Sequence, residues 1–278
     1  MKKNIKSITF LLIIVLVLNI INFSYVHAIE EIKTLDELPA GAIVYDAKSI
    51  WEYKDYNNYG GNVIETAPVE WKIVKQNHFA NKTTLLISNK IVALHEYNPF
   101  SNCIAEWGTS SLRKWLRNTF RNHLSSDFKN NIVTVTTFTA DKAFDDNIFV
   151  LSLVELDQSA SSYLEGNHGT KTDFFNYDKA KLCALGYREG KQGYLWYWTR
   201  SPRCTTNPPP RYAHAISHDG DPTYEDVISS SIGVRPALNL KSEILVKSVG
   251  NNKWEIIWNQ SPALAVTKPT PNSPLLAL

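Results

Sequence analysis

The chain has 278 residues, a formal charge of +2 and 20% charged side chains. That is enough length to bury a full core, with no basic excess of the kind that neutralises nucleic-acid phosphates. Its eight tryptophans and 13 tyrosines are many for this size, and most must be core because aromatic rings bury large areas.

Lys2, Lys3 and Lys6 open the chain, an apolar run follows over 8–23, and Val26-His27-Ala28 closes it. Basic, apolar, then small is the order of a secretory signal. The run is shorter than the roughly 20 apolar residues of a membrane-spanning helix. Residues 1–28 therefore read as a cleaved signal and the mature protein as secreted, with no stable membrane anchor after cleavage near Ala28. Cleavage removes three lysines and takes the charge from +2 to −1. An oxidising compartment permits a disulfide, and of Cys103, Cys183 and Cys204 the pair expected is Cys183 with Cys204. No two cysteines sit at the C-x-x-C spacing of a zinc site, and neither a metal nor a cofactor is expected.

Residues 29–64 read as a lead-in with a strand over 42–45 and a loop over 57–62. Val69, Trp71 and Ile73 alternate with Glu70 and Lys72, which predicts a half-buried strand over 69–74. Thr83–Ser88 is a second strand, paired with the first as a hairpin. The clearest helix follows. Thr109, Ser110 or Ser111 can cap it, and Leu112, Trp115, Leu116, Phe120 and Leu124 make one apolar face. Arg113, Lys114, Arg117 and Arg121 lie on or near the other face and read as solvated. Ser125, Ser126 and Asp127 cap a shorter helix through about Ile132. Strands are expected over 132–139, 148–153, 194–199, 212–217, 233–240, 244–249 and 253–258. Helices are expected over 154–164 and 178–185, stopped by Gly166 and Gly186. Helices and strands do not alternate regularly, which predicts an α+β fold in one domain over 65–260, followed by a flexible Pro-containing tail at 261–278.

Trp107-Gly108-Thr109-Ser110-Ser111-Leu112-Arg113-Lys114-Trp115-Leu116 resembles the W-x-x-S-x-L-R-x-W-L signature of a family of secreted domains of unknown function common in clostridia. Two later marks fit the same family: W-x-R-S-P at Trp198, Arg200, Ser201 and Pro202, and G-V-R-P-A-L at Gly233, Val234, Arg235, Pro236, Ala237 and Leu238. With E-W-x-I-V at 70–74, L-L-I-S at 85–88, D-K-x-F at 141–144 and F-V-L-S-L at 149–153, the marks together cover about 65–242. The last two also resemble, more distantly, the closing half of the formylglycine-generating-enzyme and C-type-lectin-like fold. The resemblance implies a C-type-lectin-like α+β domain, with mixed and antiparallel sheets and a few short helices. It implies no activity, because that fold hosts enzymes, lectins and receptor-binding proteins alike.

Arg200 and Arg235 sit among apolar neighbours, where a guanidinium needs internal partners, and both read first as structural. The stretch between them, 203–232, is the expected recognition surface, since mixed aromatic and polar loops on a rigid scaffold serve that role. It carries Tyr212, His214, His218, Asp219, Asp221 and Tyr224, fed by a strand bearing Trp198 and Arg200. His214 and His218, with Asp219, Asp221 and Glu225 nearby, invite a zinc reading, but four strand residues span about 13 Å at roughly 3.3 Å each, too far for one ion unless the strand ends by Ser217 and His218 swings in. No G-x-S-x-G elbow is present. The expected function is recognition of an extracellular glycan, cell-wall component or protein. The alternatives are an exported enzyme using acids or His214 of the same loop, and a structural surface protein without a pocket.

Overall fold

The computed structural model describes residues 31–55, 61–158, 164–203 and 211–258. Residues 1–28, expected to be a signal, the tail at 261–278, Cys204 and most of the loop at 57–62 lie outside the described residues. The strands are β1 (Ile32–Thr34), β2 (Ile43–Lys54), β3 (Val63–Gln76), β4 (Thr83–Ser88), β5 (Ala93–Leu94), β6 (Ile132–Val133), β7 (Val135–Thr139), β8 (Lys142–Asp146) and β9 (Ala184–Arg188). They continue as β10 (Lys191–Leu195), β11 (Tyr197–Pro202), β12 (Tyr212–Ile216), β13 (Pro222–Asp226), β14 (Gly233–Val234), β15 (Ala237–Lys241), β16 (Leu245–Gly250) and β17 (Lys253–Ile256). One sheet has eight strands in the order β1-β16-β17-β2-β3-β4-β15-β6, and a second has five in the order β13-β12-β11-β14-β5. β7-β8 and β9-β10 are separate hairpins.

Strands take 45% of the chain and helices 15%, which overturns the expected α+β, C-type-lectin-like domain in favour of a mostly β fold. The lead-in is not separate from the rest. It supplies β2 to the interior of the large sheet, where β2 runs antiparallel to β3 and parallel to β17.

Local signals explain the parts that follow the sequence. Val69, Trp71 and Ile73 of β3 are buried, and β4 is buried along its whole length. The two strands pair antiparallel with Trp71 opposite Ser88. The turn between them needs left-handed residues at Asn77 (φ 54°) and Lys82 (φ 57°), and the Asn77 side chain accepts from the Lys82 amide at 2.6 Å. Ser110 caps α1 (Ser111–Trp115), its hydroxyl accepting from the Arg113 amide at 3.1 Å. The helix widens into a π turn at Leu116–Phe120 and closes as α2 (Arg121–His123). Leu112, Leu116, Phe120 and Leu124 are buried, as one apolar face requires. Ser125 caps α3 (Ser126–Asn130).

Elsewhere distant partners override local pattern. The helix expected over 154–164 is a turn at 153–157, with 159–163 outside the described residues. Glu155 is drawn inward to Arg200. Asp157, at φ 60°, uses its carboxylate to accept from the amides of Asp173, Phe175 and Asn176. The helix expected over 178–185 is a single turn, α4 (Lys179–Leu182), before the chain enters β9. Gly186 is no stop signal: it lies within β9, where a Cβ would come within 2.5 Å of Leu195. The buried segment at 148–153 makes one isolated bridge, Phe149 to Ala237. The strand expected over 233–240 divides into β14 and β15, one in each sheet, with Arg235 and Pro236 at the corner. Among the described residues no helix is long and apolar enough to cross a membrane.

Candidate functional site

Most motif residues hold the interior together. Asp146 is fully buried and accepts from Trp107 Nε1 at 2.9 Å, Arg113 Nε at 2.7 Å and Thr137 Oγ1 at 2.8 Å. Leu112 packs in the core beside them. The Arg200 guanidinium has no solvent exposure. It binds both carboxylate oxygens of Glu155 and donates to the Val150 and Phe138 carbonyls at 3.0 and 3.2 Å. A two-pronged guanidinium–carboxylate pair satisfies most of what two buried charges lose on leaving water. Ser201 Oγ accepts from the Leu153 amide at 3.1 Å and lies 3.3 Å from His168 Nδ1. Pro202 ends the buried strand β11. Gly233 is required by space, since a Cβ there would sit 2.6 Å from the Trp196 carbonyl. The Pro236 carbonyl accepts from the Ser88 amide at 2.8 Å.

Three residues expected at the ligand surface are sealed inside. Trp198 is fully buried and donates Nε1 to the His95 carbonyl at 2.7 Å. Arg200 is committed to Glu155. His214 projects from β12 into the interior, its Nδ1 3.1 Å from the Thr223 carbonyl. Burial pushes the His214 pKa down to about 4, so the imidazole is neutral near pH 7.

The other expected residues divide between the hairpin and the loop beside it. Tyr212 and Tyr224 meet edge to face at 5.7 Å across β12 and β13, with the Arg203 guanidinium 3.8 Å over the Tyr224 ring. Asp221 pairs with Lys179 at 2.7 Å and Asp219 with His218 Nε2 at 3.3 Å. Trp196 donates Nε1 to His218 Nδ1 at 3.0 Å. Nδ1 therefore accepts and Nε2 carries the proton toward Asp219. Both ring nitrogens thus have partners within the loop. His214 and His218 do not face a common point. Cys183 is a free thiol and donates to the His218 carbonyl at 3.2 Å; its expected partner Cys204 lies outside the described residues.

The open surface lies beside this loop. One cleft of about 470 Å³ is lined by the β9-β10 hairpin, Trp196, His218, Glu225 and Leu94. Tyr194 stands 53% exposed at its side. A second cleft, about 530 Å³, is lined by Trp51, Glu52, Thr66, Trp115, Thr119 and His123, and it too includes Leu94. Trp51 sits at its centre, 6.1 Å from Trp115 and 4.8 Å from His123, edge-on to both. The Trp51 indole is fixed by a 2.7 Å bond from Nε1 to the Val92 carbonyl. Leu94 belongs to β5, the edge strand of the five-stranded sheet. The two clefts therefore adjoin across that edge.

A family model described as Domain of unknown function (DUF6273) matches residues 81–242. The chain belongs to this family. No curated protein and no solved structure matches the chain. The family match contains Leu94, Trp115, Tyr194 and Trp196, so most of the paired clefts are part of the DUF6273 domain. Trp51 comes from β2, outside the match. The sequence signature contains Trp115 but gives no sign that its role differs from that of Trp107. Tyr194, Gln192 and Arg188 of the hairpin carry no motif at all. Their signal is an aromatic and polar hairpin, β9-β10, around the turn Glu189 (φ 57°) and Gly190 (φ 66°).

Proposed function

We propose that the protein is a secreted recognition protein whose ligand is an extended carbohydrate lying across Leu94. The observation that carries this reading is the pair of clefts that adjoin at Leu94, with Tyr194 and Trp196 on one side and Trp51 and Trp115 on the other. Aromatic faces contribute apolar area at fixed geometry, and a few polar groups beside them fix orientation. Gln192, Arg188 and Glu225 supply such groups in one cleft, and Glu52, Thr66 and Thr119 in the other. Export rests on the basic, apolar and small-residue order of residues 1–28.

The enzyme alternative draws less support from the same residues. Glu225 lines the first cleft and Glu52 the second, so among the described lining residues no two carboxylates share one cleft, whereas glycoside hydrolysis uses a close pair. Asp219 and Asp221 are engaged with His218 and Lys179.

The test is a glycan-binding screen on the protein from Ile29 onward, repeated with Tyr194→Ala and Trp115→Ala. Each change should weaken binding about tenfold, ~1.4 kcal/mol, without lowering the unfolding midpoint enough to account for the loss. Binding that survives both changes together would overturn the reading.

A further inference from the structure

We propose that a third cleft, lined by Lys72, Lys75 and Lys181, is an anion-binding site, built for a carboxylate or phosphate group carried on a partly apolar ligand. This cleft has a volume of about 650 Å³ and is lined by Lys72, Val74, Lys75, Asp173, Phe174 and Lys181 among others. It shares no lining residue with the two clefts around Leu94.

Three lysines face one carboxylate here. Two of them are engaged. Lys75 pairs with Asp173 at 2.9 Å. Lys181 donates to the Phe174 carbonyl at 2.8 Å, lies 4.9 Å from the Phe174 ring centroid, and is 3.8 Å from Asp178. Lys72 is different. It is half-buried, and among the described residues its side chain has no hydrogen bond or ion pair. Lys72 pairs opposite Ile87 and Lys75 opposite Leu85, partners on one face of β4, so both lysines share a face of β3. A bulge between Ile73 and Lys75 turns Lys75 toward the same cleft, as bulges re-aim side chains.

Behind Lys72 lies a second uncompensated charge. Arg235 is 1% exposed. Its guanidinium donates to the carbonyls of Ser88 at 3.1 Å and Leu182 at 3.0 Å, and to the Tyr197 hydroxyl at 3.2 Å. Among the described residues it meets no carboxylate, and Nη2 has no hydrogen-bond partner. This contrasts with Arg200, which holds Glu155. Burial, with the Arg235 charge second, pulls the Lys72 pKa down to about 8. An ammonium that is partly desolvated beside another cation is stabilised by an incoming anion. Phe174 and Val74 offer the apolar wall against which the rest of the ligand can lie.

The test uses the full chain as the cell produces it, with inorganic phosphate and acetate as probes and sodium chloride at matched ionic strength as control. The Lys72 side chain is followed by NMR through its titration. Free Lys72 should titrate near 8. Saturating phosphate or acetate should raise that value toward an ordinary lysine, and Lys72→Met should weaken anion binding tenfold or more. Lys114→Met, exposed and lining none of the three clefts, should leave anion binding unchanged. A response to phosphate alone assigns a phosphate ester, to acetate alone a carboxylate, and to both a general oxyanion site. An equal response to chloride, or full affinity in Lys72→Met, would overturn the proposal. If Lys72→Met fails to fold, the titration of the unaltered chain decides alone: a Lys72 that titrates as an ordinary lysine and does not respond to either anion sinks it. Loss of glycan binding at Leu94 would leave this result untouched, and the reverse also holds.

Discussion

His214 is neutral because the interior gives its charge nothing to pair with. Burial is the main cause of its lowered pKa, a backbone hydrogen bond to Thr223 opposes it, and Arg203 and His168 add smaller repulsion. A histidine with a depressed folded pKa binds protons less readily than in the unfolded chain, so its stability contribution is complete above about pH 6.5. It is lost as pH falls through the window down to about 4. The expected loss is on the order of 3 kcal/mol. Urea midpoints measured from pH 7 to pH 4 should fall in the unaltered protein and fall less in His214→Asn; parallel curves would show that the imidazole does not set the slope. His168, also lowered mainly by burial, acts in the same direction. At this scale the sequence pointed to internal partners for the arginines but also placed Arg200 and Trp198 at the ligand surface. Arg200 and Arg235 sit among apolar neighbours, and a charge in that setting must find internal partners. Trp198 looked like part of a recognition face, yet it is core. Trp115, on the apolar helix face by periodicity, packs against the core and also walls a cleft. What separates the two is Trp51, which arrives from β2 and cannot be seen from either motif.

The helix at Ser111–Trp115 is fixed by one carboxylate on another element. Asp146, at the end of β8, joins Trp107, Arg113 and Thr137, with the Arg113 side chain 13% exposed and Asp146 not at all. Removing one partner of a buried pair strands the other, which costs about 3–5 kcal/mol. Asp146→Ala should lower the unfolding free energy by that amount in urea titrations, and a loss below about 1 kcal/mol would mean that Arg113 is solvated rather than paired. Elements whose cause is local were legible: the β3-β4 hairpin with its Asn77 turn, and the helices capped by Ser110 and Ser125. Elements whose cause is distant were not. Glu155 leaves its helical pattern to reach Arg200, 45 residues away. Gly186 reads as a helix stop, but it is needed because β10 comes close. Gly233 to Leu240 reads as one strand until Arg235 and Pro236 turn it from one sheet into the other.

The whole molecule exceeds its family domain. The match to residues 81–242 includes β4, β15 and β6 of the large sheet and omits β1, β16, β17, β2 and β3. β4 is buried along its whole length and pairs with β3 on one side. Cutting the chain to 81–242 would expose that edge, and an apolar open edge pairs with other chains. The fragment should therefore aggregate where residues 31–258 stay monomeric by light scattering. A soluble, cooperatively folding fragment would show that β1, β2 and β3 are dispensable. The position of β17 has a consequence for the order of events at synthesis. β17 is the last described strand to be made, yet it lies between β16 and β2, parallel to β2 with Lys253 beside Ile43. A growing chain holds one side of β2 open for some 200 residues, and long-range pairing of this kind is slow. Until Lys253–Ile256 leaves the ribosome, the large sheet is a template missing one rung, and any strand that fits the gap beside β2 competes with its proper partner.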